Sequence, residues 1–139
     1  IEGIALDGGV RLGERFGLQG EVYHGRGLGN YLGLANQTVN AQSLEIVTGS
    51  GGWGEASWVW REGLQSNFGY GLDRPDLDTI SVGSIGRNET AYSNLMWTVR
   101  PWLSLSAEVT WRKTGYLLPT TALLSNDGVG LNLATEVRF

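Results

Sequence analysis

The chain has 139 residues, a formal charge of −4, no cysteine, one histidine, six Trp, five Tyr and 22 Gly against only 3 Pro. The length suits one domain. The missing cysteines exclude a disulfide framework and a thiolate metal site, His24 alone cannot make a His-rich centre, and an acidic balance with no basic surplus argues against nucleic acid.

Taken in order, the chain alternates. "GIALDGGVRL" (Gly3 to Leu12) sets Ile4, Leu6, Gly8, Val10 and Leu12 on one side and Ala5, Asp7, Gly9 and Arg11 on the other. After the turn "GER", "FGLQGEVYHG" (Phe16 to Gly25) repeats the pattern, which predicts a hairpin. A Gly/Asn-rich stretch from about Arg26 to Gly51 reads as a long loop. "EASWVW" (Glu55 to Trp60), a short turn and "LQSNFGYGLD" (Leu64 to Asp73) predict a second hairpin, followed by a loop from Arg74 to Gly86. "NETAYSNLMWTV" (Asn88 to Val99), the turn "RPW" and "LSLSAEVTWRK" (Leu103 to Lys113) predict a third. A last loop, Thr114 to Asp127, leads into "GLNLATEVRF", alternating from Gly130 to Phe139. No segment has helical periodicity.

About seven strands of ten to twelve residues are predicted, longer than the usual five or six. Connections alternate between about three residues and thirteen or more. Strands of that length, short turns at one end and long loops at the other are the marks of a transmembrane antiparallel up-and-down β-barrel. No apolar run approaches the roughly 18 residues of a spanning helix, a test that barrels escape because their strands average to neutral hydropathy. Large aromatics near the strand ends fit a membrane interface, where a ring has one apolar and one wet end. The expected interface set is Phe16, Trp58, Trp60, Tyr70, Trp97, Trp111 and Phe139. Gly8, Gly20 and Thr135 on the apolar side suit fluid lipid better than a packed core. A soluble β-sandwich is the alternative, with the same charges on a solvent face.

The block "RNETAYSNLMWTVRPWLSLSAEVTWRKTGY" (Arg87 to Tyr116), followed by "GLNLATEVRF", resembles the C-terminal portion of Gram-negative porins, the DcaP-like group in particular. "GRGLGNYLGL" (Gly25 to Leu34) is similar to a long-loop region of that group. The resemblance implies a bacterial outer-membrane location, contacts with membrane lipid and lipopolysaccharide, and a homotrimer. It also implies an assembly signal carried by Leu133, Val137 and Phe139 and read by the outer-membrane assembly machinery. Seven strands is an odd number, whereas single-chain bacterial barrels have even ones, so further strands are expected before Ile1.

Charges gather on the other side of the strands. Asp7, Arg11, Glu21, Glu55, Arg61, Glu89, Glu108, Arg112, Glu136 and Arg138 are the candidates for lining a water-filled lumen, where they would sort small hydrophilic solutes by charge. The same residues could instead pair across strands and stiffen the wall. The expected function is passive diffusion through a porin-like channel with no cofactor, no metal and no chemistry. The alternatives are a structural or plugged barrel and an outer-membrane enzyme.

Three motifs carry less. "GSGGWG" (Gly49 to Gly54) fits G-x-G-x-x-G, but a strand and not a helix follows. His24 has no serine beside it in sequence and reads as a rim residue. Asp73, Asp76 and Asp78 in "DRPDLD" lack calcium-loop spacing and read as a solvated turn.

Overall fold

A computed structural model describes residues 1–31 and 33–138. Its frame is one antiparallel sheet of seven strands in the order of the chain. The strands are β1 (Glu2–Leu12), β2 (Phe16–Arg26), β3 (Thr48–Arg61), β4 (Leu64–Pro75), β5 (Ile85–Arg100), β6 (Leu103–Leu117) and β7 (Leu123–Val137). The fold is therefore all-β and up-and-down, consistent with part of a barrel. The sheet is open: β1 and β7 are its two edges. The only helical pieces among the described residues are a single 3₁₀ turn at Leu28–Tyr31 and a left-handed turn at Leu34–Asn36.

Strand alternation follows the sequence pattern, and register carries it across the sheet. Val10, Leu18, Ala56, Phe68, Ser93, Val109 and Leu131 form one continuous row. The next row toward the short turns is Leu12, Phe16, Trp58, Ser66, Leu95, Ala107 and Leu133. Between them run polar rows, such as Gly9, Gln19, Glu55, Gly69, Tyr92, Thr110 and Gly130. Along the middle of the strands one face of the sheet is mainly apolar and the other mainly polar.

The short turns follow local chemistry. Gly13 and Gly63 take φ of +67° and +73°, a region open to glycine at little cost. Pro101 enters the third turn, where no ladder N–H is required.

The long connections are shorter than the alternation pattern suggests. The last one, expected over Thr114 to Asp127, shrinks to 118–122, because β6 and β7 keep pairing from Arg112↔Gly128 up to Leu117↔Leu123. Polar and glycine residues there lose the apolar alternation while the backbone ladder continues. Ladder bonds do not depend on side-chain polarity, so strands outlast their sequence signature. The connection between β4 and β5 is likewise 76–84, and only 27–47 stays long.

Burial is inverted relative to a water-soluble domain. Among the described residues the buried hydrophobic ones are four: Leu34, Val47, Ile80 and Leu117, all at the long-loop end. The apolar face lies open, with Leu6 at 68% and Leu133 at 74% exposure. The total accessible surface is 9336 Å², against about 7,100 Å² for a compact chain of this mass. A sheet with no second layer explains the excess.

Candidate functional site

The polar face is floored by glycine at its long-loop end. Gly3, Gly25 and Gly49 pair in one row that ends at Pro75. A Cβ on Gly25 or Gly49 would overlap backbone of the next strand and the side chains of Leu28 or Leu34. Into that space the connection 27–47 folds, laying Leu28 and Leu34 over the glycines. Leu34 is completely buried, which is worth about 1.5–3 kcal/mol for a side chain of its size.

Two side chains from the wall hold this loop. Tyr23 of β2 crosses Gly51 of β3 and donates its hydroxyl hydrogen bond to Asp73 of β4. The Leu34 N–H donates to the Tyr23 hydroxyl at 3.2 Å, and the Ala35 N–H donates to the other Asp73 oxygen. The held segment is strained: Leu34, Ala35 and Asn36 have φ of 52°, 51° and 62°. The left-handed region costs about 1–2 kcal/mol per non-glycine residue, so burial of Leu34 and the two N–H bonds offset a real penalty. Further along, the Gln37 side-chain amide donates to the Ile85 carbonyl at 2.7 Å. Asn40 donates to the Thr79 carbonyl at 3.2 Å and accepts from Ser81. The loop is thus stitched to β2, β4, β5 and the connection 76–84.

A second tyrosine repeats the device nearer mid-strand. Tyr92 of β5 crosses Gly69 of β4 and hydrogen-bonds Glu55 of β3, which also accepts from Gln19 at 2.9 Å. Glu108 accepts from Thr110 at 2.9 Å and Asn132 at 3.2 Å. Asn67 and Asn94 join side chains at 2.8 Å. Glu55, Asp73 and Glu108 on this face are therefore held by neutral donors.

Of the charges expected on one face, Asp7, Arg11, Glu21, Glu55, Glu108, Arg112 and Glu136 fall in polar rows. Asp7 and Glu21 stand directly opposite each other, with Trp53 next in the row, 45% exposed. Arg112 lies at the far end of that row, opposite Thr90 and Gly128. Arg138, just past β7, binds Glu136 through two bonds of 2.8 and 2.9 Å.

Two expected members stand elsewhere. Glu89 pairs with Leu72 and Lys113, in register with the apolar rows. It accepts from Tyr70 at 2.7 Å and from Arg87 at 2.9 Å and is 7% exposed. Its parity matches Ala91, Leu95 and Trp97; its charge is tolerated because it is paired and sits toward the loops. Arg61 lies beyond a bulge at the turn end of β3, opposite Leu64 of the apolar face. The bulge breaks the alternation that would have placed it with Glu55.

The expected interface aromatics occupy the apolar rows or the turn next to them. Phe16 and Trp58 have ring centroids 6.1 Å apart, and Trp58 and Trp60 6.2 Å. Trp60 donates to Ser66 at 2.8 Å and Trp111 to Asp127 at 3.3 Å. Trp97 pairs with Leu64 and Leu105. Leu133 and Val137 are in apolar register on β7, while Phe139 lies outside the described residues. His24 is on the apolar face opposite Ile4 and Ser50, with no hydrogen bond between His24 and Ser50 among the described residues. No group of three or more His, Cys, Asp or Glu is placed to hold a metal among the described residues.

The residues that sequence reading missed are Tyr23, Asp73 and Tyr92 as reaching pairs. Their parity was available; their partners two strands away were not. Compared with known proteins, the chain matches no family model, no curated protein and no solved structure.

Proposed function

We propose that this chain is a segment of a bacterial outer-membrane β-barrel whose polar face lines a channel for small hydrophilic solutes. The observation that carries the reading is an uncharged stretch on the apolar face of every strand, with the rows of Gly8, Val10 and Leu12 uncharged across all seven strands. It runs from Ile4 to Leu12 on β1, Phe16 to Val22 on β2, Gly52 to Trp60 on β3 and Leu64 to Leu72 on β4. It continues from Ala91 to Val99, Leu103 to Trp111 and Val129 to Val137 on the last three strands. The stretch is nine residues on every strand but β2, where it is seven; nine residues at about 3.3 Å span about 30 Å along the strand, or about 23 Å of depth at a tilt of about 40°, close to the apolar band of such barrels. On each strand the charges of this face stand on the loop side of the uncharged stretch: Glu2, Arg26, Arg74, Glu89, Lys113 and Asp127, the last three in the row of Leu6 and Leu72. A water-exposed face has no reason to keep them out.

Closure of the barrel then requires partners for the edges β1 and β7, since hydrocarbon leaves no backbone group hydrated. In this reading the tethered connection 27–47 stands inside the channel and narrows it. The porin-like resemblance adds a trimer and recognition by the assembly machinery as part of the same proposal. The test is conductance of the full-length protein in a planar bilayer, once heat-modifiable gel mobility shows that it is folded. Stepwise open currents that grow when residues 28–46 are shortened support the channel. A folded, inserted and silent protein whose loop-shortened form is also silent refutes it and leaves a structural barrel.

A further inference from the structure

The polar face carries a hollow of about 350 Å³ toward the short-turn end of β1 to β4, with Arg11, Gln19, Glu55, Ser57 and Gln65 around it. Its floor is Gly9 and Gly17 together with Val10 and Leu18. By parity the last two point their side chains to the apolar face and give this side their backbone. Gly17 stands directly opposite Arg11, so no side chain there separates the guanidinium from the hollow, and a Cβ on it would overlap the Ser57 hydroxyl oxygen. Arg11 forms no salt bridge among the described residues. Gln19 donates its amide N–H to Glu55 at 2.9 Å, and Gln65 donates to Asn67 at 2.7 Å. Those bonds use the amide nitrogens and leave both carbonyl oxygens as acceptors.

Arg11 and Glu55 line one space without forming a salt bridge. By register they lie two strands across and two residues along, about 12 Å apart between Cα atoms from ladder spacings. One cation and one anion held apart, with hydroxyl and amide oxygens beside them, complement a solute that carries both charges itself. We infer that the hollow binds small α-amino acids as zwitterions; the inference names a solute class for the channel proposed above and rests on that reading. The carboxylate end fits Arg11, whose guanidinium makes forked bonds to the two oxygens of a carboxylate. The ammonium end has three N–H donors for Glu55 and the amide oxygens of Gln19 and Gln65. Glu55 is fixed for that role by the neutral donors Gln19 and Tyr92, and no cation neutralises it among the described residues. A solute with a carboxylate alone meets repulsion from Glu55 and, one polar row toward the loops, from Asp7 and Glu21. A solute with an amine alone meets it from Arg11. The hollow is shallow and open on the side away from the sheet, which suits a site that must release its solute for transport.

The test measures uptake of labelled alanine into vesicles that carry the full-length protein, with folding of every variant checked by heat-modifiable mobility. The competitors are unlabelled alanine, lactate, alaninol and propane-1,2-diol, which share one carbon skeleton and differ only in their charged ends. Uptake by the wild type is expected to saturate, with alanine competing about tenfold better than each of the other three. Arg11→Gln should bring alanine down to the level of alaninol; Arg11 is exposed and unpaired, so this change leaves the fold intact. Glu55→Gln should bring alanine down to the level of lactate. If that variant fails to fold for want of its bond to Tyr92, Arg11→Glu replaces it, and it should turn the preference toward alaninol. Alanine uptake that rises linearly without saturating, lactate or alaninol competing as well as alanine, or an unchanged Arg11→Gln each overturns the site and leaves the channel standing. A folded, inserted protein that passes neither ions nor any of the four solutes overturns the channel reading, and this inference with it.

Discussion

Tyr92 reaches Glu55 across a strand that has no side chain in the way: Gly69 stands between them in one row of the polar face, and a Cβ on it would run into the tyrosine ring. Glycine in a strand interior ordinarily weakens it. Here the absent side chain lets one hydrogen bond tie three strands together. Tyr23, Gly51 and Asp73 repeat the arrangement toward the loops.

The first prediction follows from that geometry. Gly69→Ala should destabilise the folded form by about 1–3 kcal/mol, the usual cost of overpacking. Tyr92→Phe should cost about 0.5–1.5 kcal/mol, the net value of one hydrogen bond. In the double variant the two effects should not add, because both act on the same ring position. Urea midpoints of the detergent-folded protein measure all three; additive losses would show that the ring does not depend on Gly69.

Asp73 should govern the loop. Asp73→Ala removes the acceptor for both Tyr23 and the Ala35 N–H. A hydrogen bond to a charged group contributes about 1.5–3 kcal/mol, and the strained turn at Leu34–Asn36 needs that contribution. Proteolysis within 27–47 should become at least tenfold faster, and single-channel conductance should rise. Tyr23→Phe, which leaves the Ala35 bond intact, should show a smaller change in the same direction. Unchanged cleavage in Asp73→Ala would place the hold elsewhere, in Gln37 and Asn40.

Two neighbouring residues on β7 separate lipid from water. Leu133 is 74% exposed on the apolar face, and Asn132 points to the polar face, where it donates to Glu108. If the apolar face met water, Lys at either position would change stability by less than about 0.5 kcal/mol. Against hydrocarbon, Leu133→Lys should cost about 2–4 kcal/mol and Asn132→Lys little. Folding yield into lipid vesicles is the measurement, and equal yields for the two variants would end the membrane reading.

The facing carboxylates make the last prediction. Asp7 and Glu21 are directly opposite with no cation bound to either among the described residues. Like charges so placed are destabilising, by an amount on the scale of about 0.2–1 kcal/mol per cross-strand pair. Glu21→Gln should therefore stabilise the protein slightly while lowering the cation preference of the channel, read as a reversal potential in a salt gradient. A loss of stability would mean that Glu21 is a strut of the wall.

The alternation of residues by itself determined that this chain forms long strands, which face of each is apolar, and where the three tight turns fall, because a strand shows its two faces with a period of two whatever surrounds it. His24 and Tyr23 were placed on their faces by parity alone. At Glu89 charge and parity point to opposite faces: the charge suggests the polar one, while the odd number groups it with Ala91 and Leu95. Only the register decided that, by setting it beside Tyr70, Leu72 and Lys113. The ends of β6 and β7 were illegible for a related reason: past the apolar band the ladder continues on backbone bonds with no side-chain pattern to announce it. The tether of Tyr23 and Asp73 on Leu34 and Ala35 was beyond any local reading. It depends on a 21-residue connection (27–47) returning over a row of glycines, and contacts between residues far apart in sequence exist only once the strands between them are side by side.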